Sequence, residues 1–224
     1  MMATTKKTQK KVKASVGAQS ISQAYKEYVL NHGNPSSVFI FCKEIGISEN
    51  TFYEHFGSFE GVERAIWLDY FSATKAGLES DSSFEGFSSR EKILAFYYGL
   101  AEVFKNDRSF VLYQLKGKGK QFRIPTFLKG FKGAFDEWIK SVIASGVTTG
   151  EIARRPQLDE RYHVLFWAHL MFILQFWCSD GSANFENTDV AIEKSVNLAF
   201  DLIGKGVLEN AIDFGKFLFQ TAKN

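Results

Sequence analysis

Residues Gly46–Ser58 read GISENTFYEHFGS, and this stretch decides how the rest of the chain is understood. Gly46 is a helix stop, because glycine takes the left-handed cap at no steric cost. Ser48 supplies an N-cap oxygen, and Glu49 follows in the first turn, where a carboxylate suits the positive end of a helix. Phe52 and Phe56 stand four positions apart and share one face. Gly57-Ser58 is a second stop, so the spacing predicts a helix over Glu49–Phe56. A helix this short is not stable alone, because nucleation is unfavourable and too few bonds follow it. Its neighbours must brace it.

Upstream, Ile21, Ala24, Tyr25, Tyr28 and Val29 recur at three- and four-residue spacing, which predicts an amphipathic helix. His32-Gly33-Asn34-Pro35 ends it, and Ser36 and Ser37 offer caps for a second helix over Val38–Ile45. A helix ending at Gly46, a tight turn and a short helix opening at Ser48 make a helix-turn-helix unit, whose second helix enters the DNA major groove.

A fourth helix is expected from Gly57-Ser58 through Val62, Ile66, Leu68 and Phe71 to about Leu78, and Ser80–Ser89 reads as a loop between domains. Further helices are expected over Arg90–Asn106, Ser109–Leu115, from Pro125 along the stripe Phe127, Phe131, Phe135, Trp138 and Val142, over Leu158–Cys178, over Asp189–Ile203, and from about Val207 onward. Lys116-Gly117-Lys118-Gly119-Lys120 reads as a solvated basic loop. It is not a phosphate-binding loop, which needs G-x-x-x-x-G-K-[ST]. With 45% apolar residues, 16% aromatics and only 3 prolines in 224 residues, the chain is expected to be all-α with a sizeable core.

Net charge is only +2, but Lys6, Lys7, Lys10, Lys11 and Lys13 lie in a polar leader free of acids. Residues 1–14 therefore read as a flexible basic arm, 15–70 as the DNA-binding head and 71–224 as a helical ligand-binding and dimerisation domain. Cys42 and Cys178 are lone and read as reduced thiols of a cytoplasmic protein. The apolar run Val164–Cys178 spans 15 residues and contains His169 and Gln175. It is too short for a bilayer, which asks for ~20, so no membrane association is expected. No metal cluster, nucleophile elbow or Cys-His arrangement gives an enzyme a chemical centre, and no cofactor is expected.

The stretch GISENTFYEHFGSFEGV resembles the DNA-binding segment of tetracycline-repressor-like (TetR) regulators, whose usual run is Gly-Val-Ser-x-x-Thr-Leu-Tyr-x-His-Phe-x-Ser-Lys-Glu-x-Leu. Gly46, Ser48, Thr51, Tyr53, His55, Phe56, Ser58 and Glu60 match, and Ile47, Phe52 and Val62 are apolar exchanges. The resemblance implies a dimeric transcriptional regulator, a repressor, on a double-stranded, pseudo-palindromic operator. It also implies a small effector in the C-terminal domain. Thr51, Tyr53 and His55 then approach DNA phosphates. Ser37 and Ser48 stand at helix N-termini, where N–H groups favour phosphate oxygens, and Asn50 can offer its amide to a base edge.

Three residues depart from the family pattern. Phe39 stands where relatives often carry a polar or basic residue. Phe59 replaces a phosphate-binding Lys. Glu49 is acidic on the reading face, where it repels phosphate unless it accepts from a cytosine amino group. Either Lys10, Lys11, Lys13 and the rest of the arm supply the missing charge, or the head has lost tight DNA binding and the protein is a helical small-molecule-binding or interaction protein.

The effector is expected to be hydrophobic or aromatic, in a pocket drawn from Tyr97, Tyr113, Phe131, Trp138, His169 and Phe172. Gly99, Gly130 and Gly133 mark close helix approach or room for a ligand. The Leu158–Cys178 helix is apolar almost all round, so a homodimer is expected through Phe166, Trp167, Leu170, Leu174, Val196 and Phe200.

Overall fold

The computed structural model describes residues 17–115, 124–156, 158–204, 206, 214 and 220. The basic arm with Lys10, Lys11 and Lys13, the 116–120 loop and the helix expected from Val207 lie outside them. Among the described residues every regular element is helical: α1 (Ala18–His32), α2 (Val38–Ile45), α3 (Glu49–Tyr53), α4 (Phe59–Glu79), α5 (Ser89–Asn106), α6 (Arg108–Leu115), α7 (Lys129–Thr149), α8 (Tyr162–Ser179) and α9 (Glu186–Ile203). Single 3-10 turns sit at Phe84–Gly86, Thr126–Leu128, Asp159–Arg161 and Ala183–Phe185. No helix among the described residues is long and apolar enough to cross a membrane.

The chain forms two compact units that divide between Val62 and Glu63, inside α4. The division falls before residue 70 because Trp67, Tyr70 and Phe71 of α4 pack on the C-terminal helices: Trp67 and Tyr70 against Phe104 at 5.6 and 5.3 Å, Phe71 against Phe96 at 5.5 Å. Ser80–Ser89 is correspondingly a turn inside the C-terminal unit, not a loop between domains.

The N-terminal unit is built on aromatic rings. Phe59 stacks on Tyr25 (5.5 Å, 23°) and meets Phe41 and Phe52 edge-on at 5.5 and 5.6 Å. Phe41 and Phe52 also touch each other, at 6.1 Å. Edge-to-face and offset pairs of this kind add to burial itself. Phe59, which the sequence pattern marks as a lost phosphate contact, is thus part of the brace under α3.

In the C-terminal unit α5 packs against α7 and α9, and α8 against α7 and α9. Phe96, Phe104, Phe131, Phe135, Trp177 and Phe200 fill the space between them. The start of α5 carries a reciprocal capping box between Ser88 and Glu91. The Glu151 carboxylate, beyond the end of α7, accepts from the N–H groups of Ser89 (2.8 Å) and Arg90 (3.0 Å). This satisfies two donors that a helix start leaves unpaired.

Arg108, at the start of α6, ties the other end of the unit. It donates to the carbonyls of Trp177 and Asp180 at 3.1 and 2.9 Å, with its guanidinium 4.4 Å from the Trp177 ring and 4.3 Å from Phe185. The Asp180 carboxylate receives the N–H and hydroxyl of both Ser182 and Thr188. These bonds hold Asn184 and Phe185 at φ 52° and 64°, a conformation that non-glycine residues rarely adopt.

Gly146 sits where α5 and α7 meet. A Cβ there would lie 2.6 Å from Ile152 Cδ1 and 2.7 Å from Ser89 Oγ, and that hydroxyl is fixed by donating to the Val142 carbonyl. Gly146→Ala is expected to lower stability by about 1–3 kcal/mol, the usual cost of overpacking. Urea unfolding measures it.

Candidate functional site

The head presents α2 and α3 as two capped helices. Ser37 Oγ accepts from the N–H of Ile40 at 3.2 Å, and Ser48 Oγ from the N–H of Thr51 at 3.0 Å. Gly46 turns the chain between them at φ 75°, ψ 30°, and the Ile47 N–H returns to the Cys42 carbonyl. This is the Schellman-type ending that the glycine permits. The helix expected over Glu49–Phe56 is shorter and ends at Tyr53. The His55 N–H bonds the Phe52 carbonyl three residues back, so the chain tightens ahead of Gly57.

Around this frame Ser37, Ser48, Asn50, Tyr53 and His55 are exposed, while Glu49 and Thr51 are half-buried. Several of the polar side chains are engaged locally. Ser48 and Thr51 share a 2.9 Å hydroxyl contact, and the Asn50 amide reaches Glu54 at 3.4 Å. Burial raises the Cys42 pKa, and the Glu49 charge raises it further. Tyr53 and Phe39 are 54% and 58% exposed, a large apolar area for a free head. Lys26 and Lys43 are its only lysines between 17 and 62, against five glutamates, and arginine is absent there.

In the C-terminal unit the six expected pocket residues separate. Tyr97 is buried, and its hydroxyl lies 3.3 Å from the Phe166 carbonyl and 3.5 Å from His169 Nδ1. His169 Nε2 lies 2.8 Å from Ser195 Oγ, a partner on α9 that the sequence reading missed because its only trace is a small residue between Ala191 and Ala199. Phe131 and Trp138 are buried, and Trp138 stacks on Phe96 at 4.4 Å. Tyr113 and Phe172 are exposed and do not line the interior with them. Gly130 and Gly133 are not points of close approach, since a Cβ at either would meet nothing within 4 Å, and at Gly99 the nearest atom is Thr74 Cγ2 at 3.4 Å.

The expected interface residues need a larger correction. Phe166, Trp167, Leu170, Leu174, Val196 and Phe200 are all buried within one chain, on the sides of α8 and α9 that face their own unit. In the single chain they offer little surface to a second subunit. The apolar residues left outside are Val164, Leu165, Phe172 and Phe176 on α8 and Val190, Leu198 and Leu202 on α9. Among the described residues no group of three or more His, Cys, Asp or Glu could hold a metal ion.

A capped helix-turn-helix head followed by a separate helical unit defines a DNA-binding transcriptional regulator. Residues 92–218, more than half of the chain, match the family model of the tetracyclin repressor-like C-terminal domain. The chain belongs to the TetR family of transcriptional regulators, which bind DNA and effectors and are not enzymes. A protein assigned to the TetR regulators from Syntrophomonas wolfei is similar in structure, with TM-score 0.67, 16% identity, and 85% of this chain and 96% of that one covered. The fatty acid degradation regulator FadR from Bacillus halodurans shares 15% identity at TM-score 0.56, over 79% of this chain and 95% of that one. FadR from Bacillus subtilis, solved in complex with stearoyl-CoA, shares 16% identity at TM-score 0.55, over 84% and 97%. These similarities concern the fold. A comparison with curated proteins finds no match.

Burial holds the His169 pKa at about 4, below its ordinary 6.5, so the ring is neutral at neutral pH. Between those two values the unfolded chain takes up a proton that the folded one does not, so stability falls as pH drops from 6.5 toward 4. Thermal unfolding should show a lower Tm across that window, and His169→Gln should flatten the dependence.

Proposed function

We propose that this TetR regulator is a ligand-responsive repressor that works in the cytoplasm as a homodimer on a pseudo-palindromic operator. Each α3 enters the major groove of one half-site. The observation that carries this reading is the α2–turn–α3 unit, whose two serine caps and aromatic brace leave Ser37, Asn50, Tyr53 and His55 on the outside. Ser37, Ser48, Thr51, Tyr53 and His55 approach phosphates, Asn50 reads a base edge, and Glu49 suits a cytosine amino group. The acidic balance of the head assigns phosphate neutralisation to the arm, with Lys10, Lys11 and Lys13.

That same balance favours a second reading, a ligand-binding or interaction protein whose head holds DNA weakly. A mobility-shift assay on the DNA upstream of the protein's own gene separates the two. On the repressor reading the full chain shifts this DNA, and deletion of residues 2–13 flattens the log K against log[salt] slope by about 0.9 for each phosphate-bound lysine removed. An unchanged slope removes the arm from the interface.

The effector is a small, predominantly apolar molecule held in the C-terminal unit. Support comes from the density of buried rings there and from the stearoyl-CoA complex of the FadR neighbour. It acts by favouring one dimer geometry through differential affinity. The dimer itself rests on α8 and α9. Leu165 and Leu198 are 57% and 60% exposed, and with Phe172, Phe176, Val190 and Leu202 they make an apolar stripe on each of two adjacent helices, larger than a monomer usually leaves in water. The same stripe on a second copy can close it with two-fold symmetry. Sedimentation at micromolar concentration should report a dimer, and Leu165→Glu with Leu198→Glu a folded monomer. Leu170→Ala should instead lower stability by about 2–5 kcal/mol, because Leu170 is core. A monomeric wild type removes the dimer.

A further inference from the structure

We propose that the indole N–H groups of Trp67 and Trp177 are the polar end of the effector site, and that the effector carries a carbonyl or carboxylate oxygen on an apolar body. This rests on the ligand-responsive reading above and narrows its chemistry. Trp67 and Trp177 are 0% and 1% exposed, and neither Nε1 has a hydrogen-bond partner among the described residues. A buried indole N–H ordinarily finds an acceptor, because leaving it unpaired forfeits the hydrogen bond it made to water. Two such donors in one unit are unusual, and both rings pack on the same phenylalanine. Trp67 on α4 and Trp177 on α8 each lie 5.6 Å from the ring of Phe104 on α5.

No group around them is placed to accept from either N–H. Trp67 is surrounded by the rings of Phe104, Phe127 and Phe131, and the hydroxyl of adjacent Tyr70, which donates to Asp107 at 3.0 Å, is not within hydrogen-bond distance of its Nε1. Trp177 has Phe185 on one side and the Arg108 guanidinium 4.4 Å from its ring. That cation favours a negatively charged acceptor close by, and hydrogen bonds to an ionised acceptor are roughly twice as strong as neutral ones. Asp136 Oδ1, on a carboxylate paired with Lys132, is the third buried side-chain atom without a partner, so it accepts from neither indole. The apolar surroundings and the two donors together describe a molecule such as a straight-chain carboxylate.

The test uses the full-length protein with benzothienylalanine at position 67 or 177, which keeps the ring shape and deletes the N–H. The probes are a series of straight-chain carboxylates and the matching alkanes. Binding is read by calorimetry and the free protein by Tm. The expected result is that wild type binds a carboxylate, that each isostere weakens this binding about tenfold or more while alkane binding is unchanged, and that the Tm of the free protein does not fall. Carboxylate binding unaffected by both isosteres overturns the inference and leaves the effector reading standing. A lowered Tm of the free isosteres also overturns it, because the N–H groups are then already satisfied by internal water or a ring face. If no carboxylate or alkane binds or shifts Tm, the apolar-effector reading and this inference fall together.

Discussion

A five-residue helix has no stability of its own, and everything the head can do depends on what holds α3 in place. The brace is a set of ring contacts from three other helices: Phe41 from α2 and Phe59 from the first turn of α4 touch Phe52, and Tyr25 from α1 backs both of them. Directional ring packing fixes the angle at which α3 leaves the turn, which non-directional aliphatic burial would do less sharply. The caps at Ser37 and Ser48 then end the two helices cleanly, so the exposed face is set by the brace beneath and the caps at its edges.

The C-terminal unit solves a different problem, since its long helices need no nucleation aid but must be held in one arrangement. Polar ties at two ends do this. Glu151 closes the start of α5, and Arg108 closes the turn between α8 and α9 through two carbonyls and two rings. Buried polar ties demand specific partners, so they select among the ways the long helices could pack. His169, neutral by burial and in contact with Ser195, adds a cross-tie between α8 and α9.

The sequence carries the helices well because their signals are local. Ser37, Gly46, Ser48 and Pro35 act within a turn of where they stand, and α2 begins and ends where those signals place it. What sequence conveys poorly is which side of a helix faces its own chain. α8 is apolar almost all round, so periodicity could not separate Leu170, which is core, from Leu165, which is exposed, and the expected interface fell on residues buried in their own chain. Phe59 misled for a related reason: compared with the family pattern it reads as a missing lysine, and only the positions of Tyr25, Phe41 and Phe52 show what the ring does. The Ser195 and Trp177 environments come from residues far apart in the chain, which no local spacing encodes.

The stacking of Phe59 on Tyr25 also bears on how such a head can change over evolutionary time. In this chain a lysine at position 59 would remove a ring that three others share. Positive charge is gained more cheaply outside the brace, where a lysine displaces nothing. An aromatic ring committed to this position therefore leaves the adjustment of charge to positions outside the ring cluster.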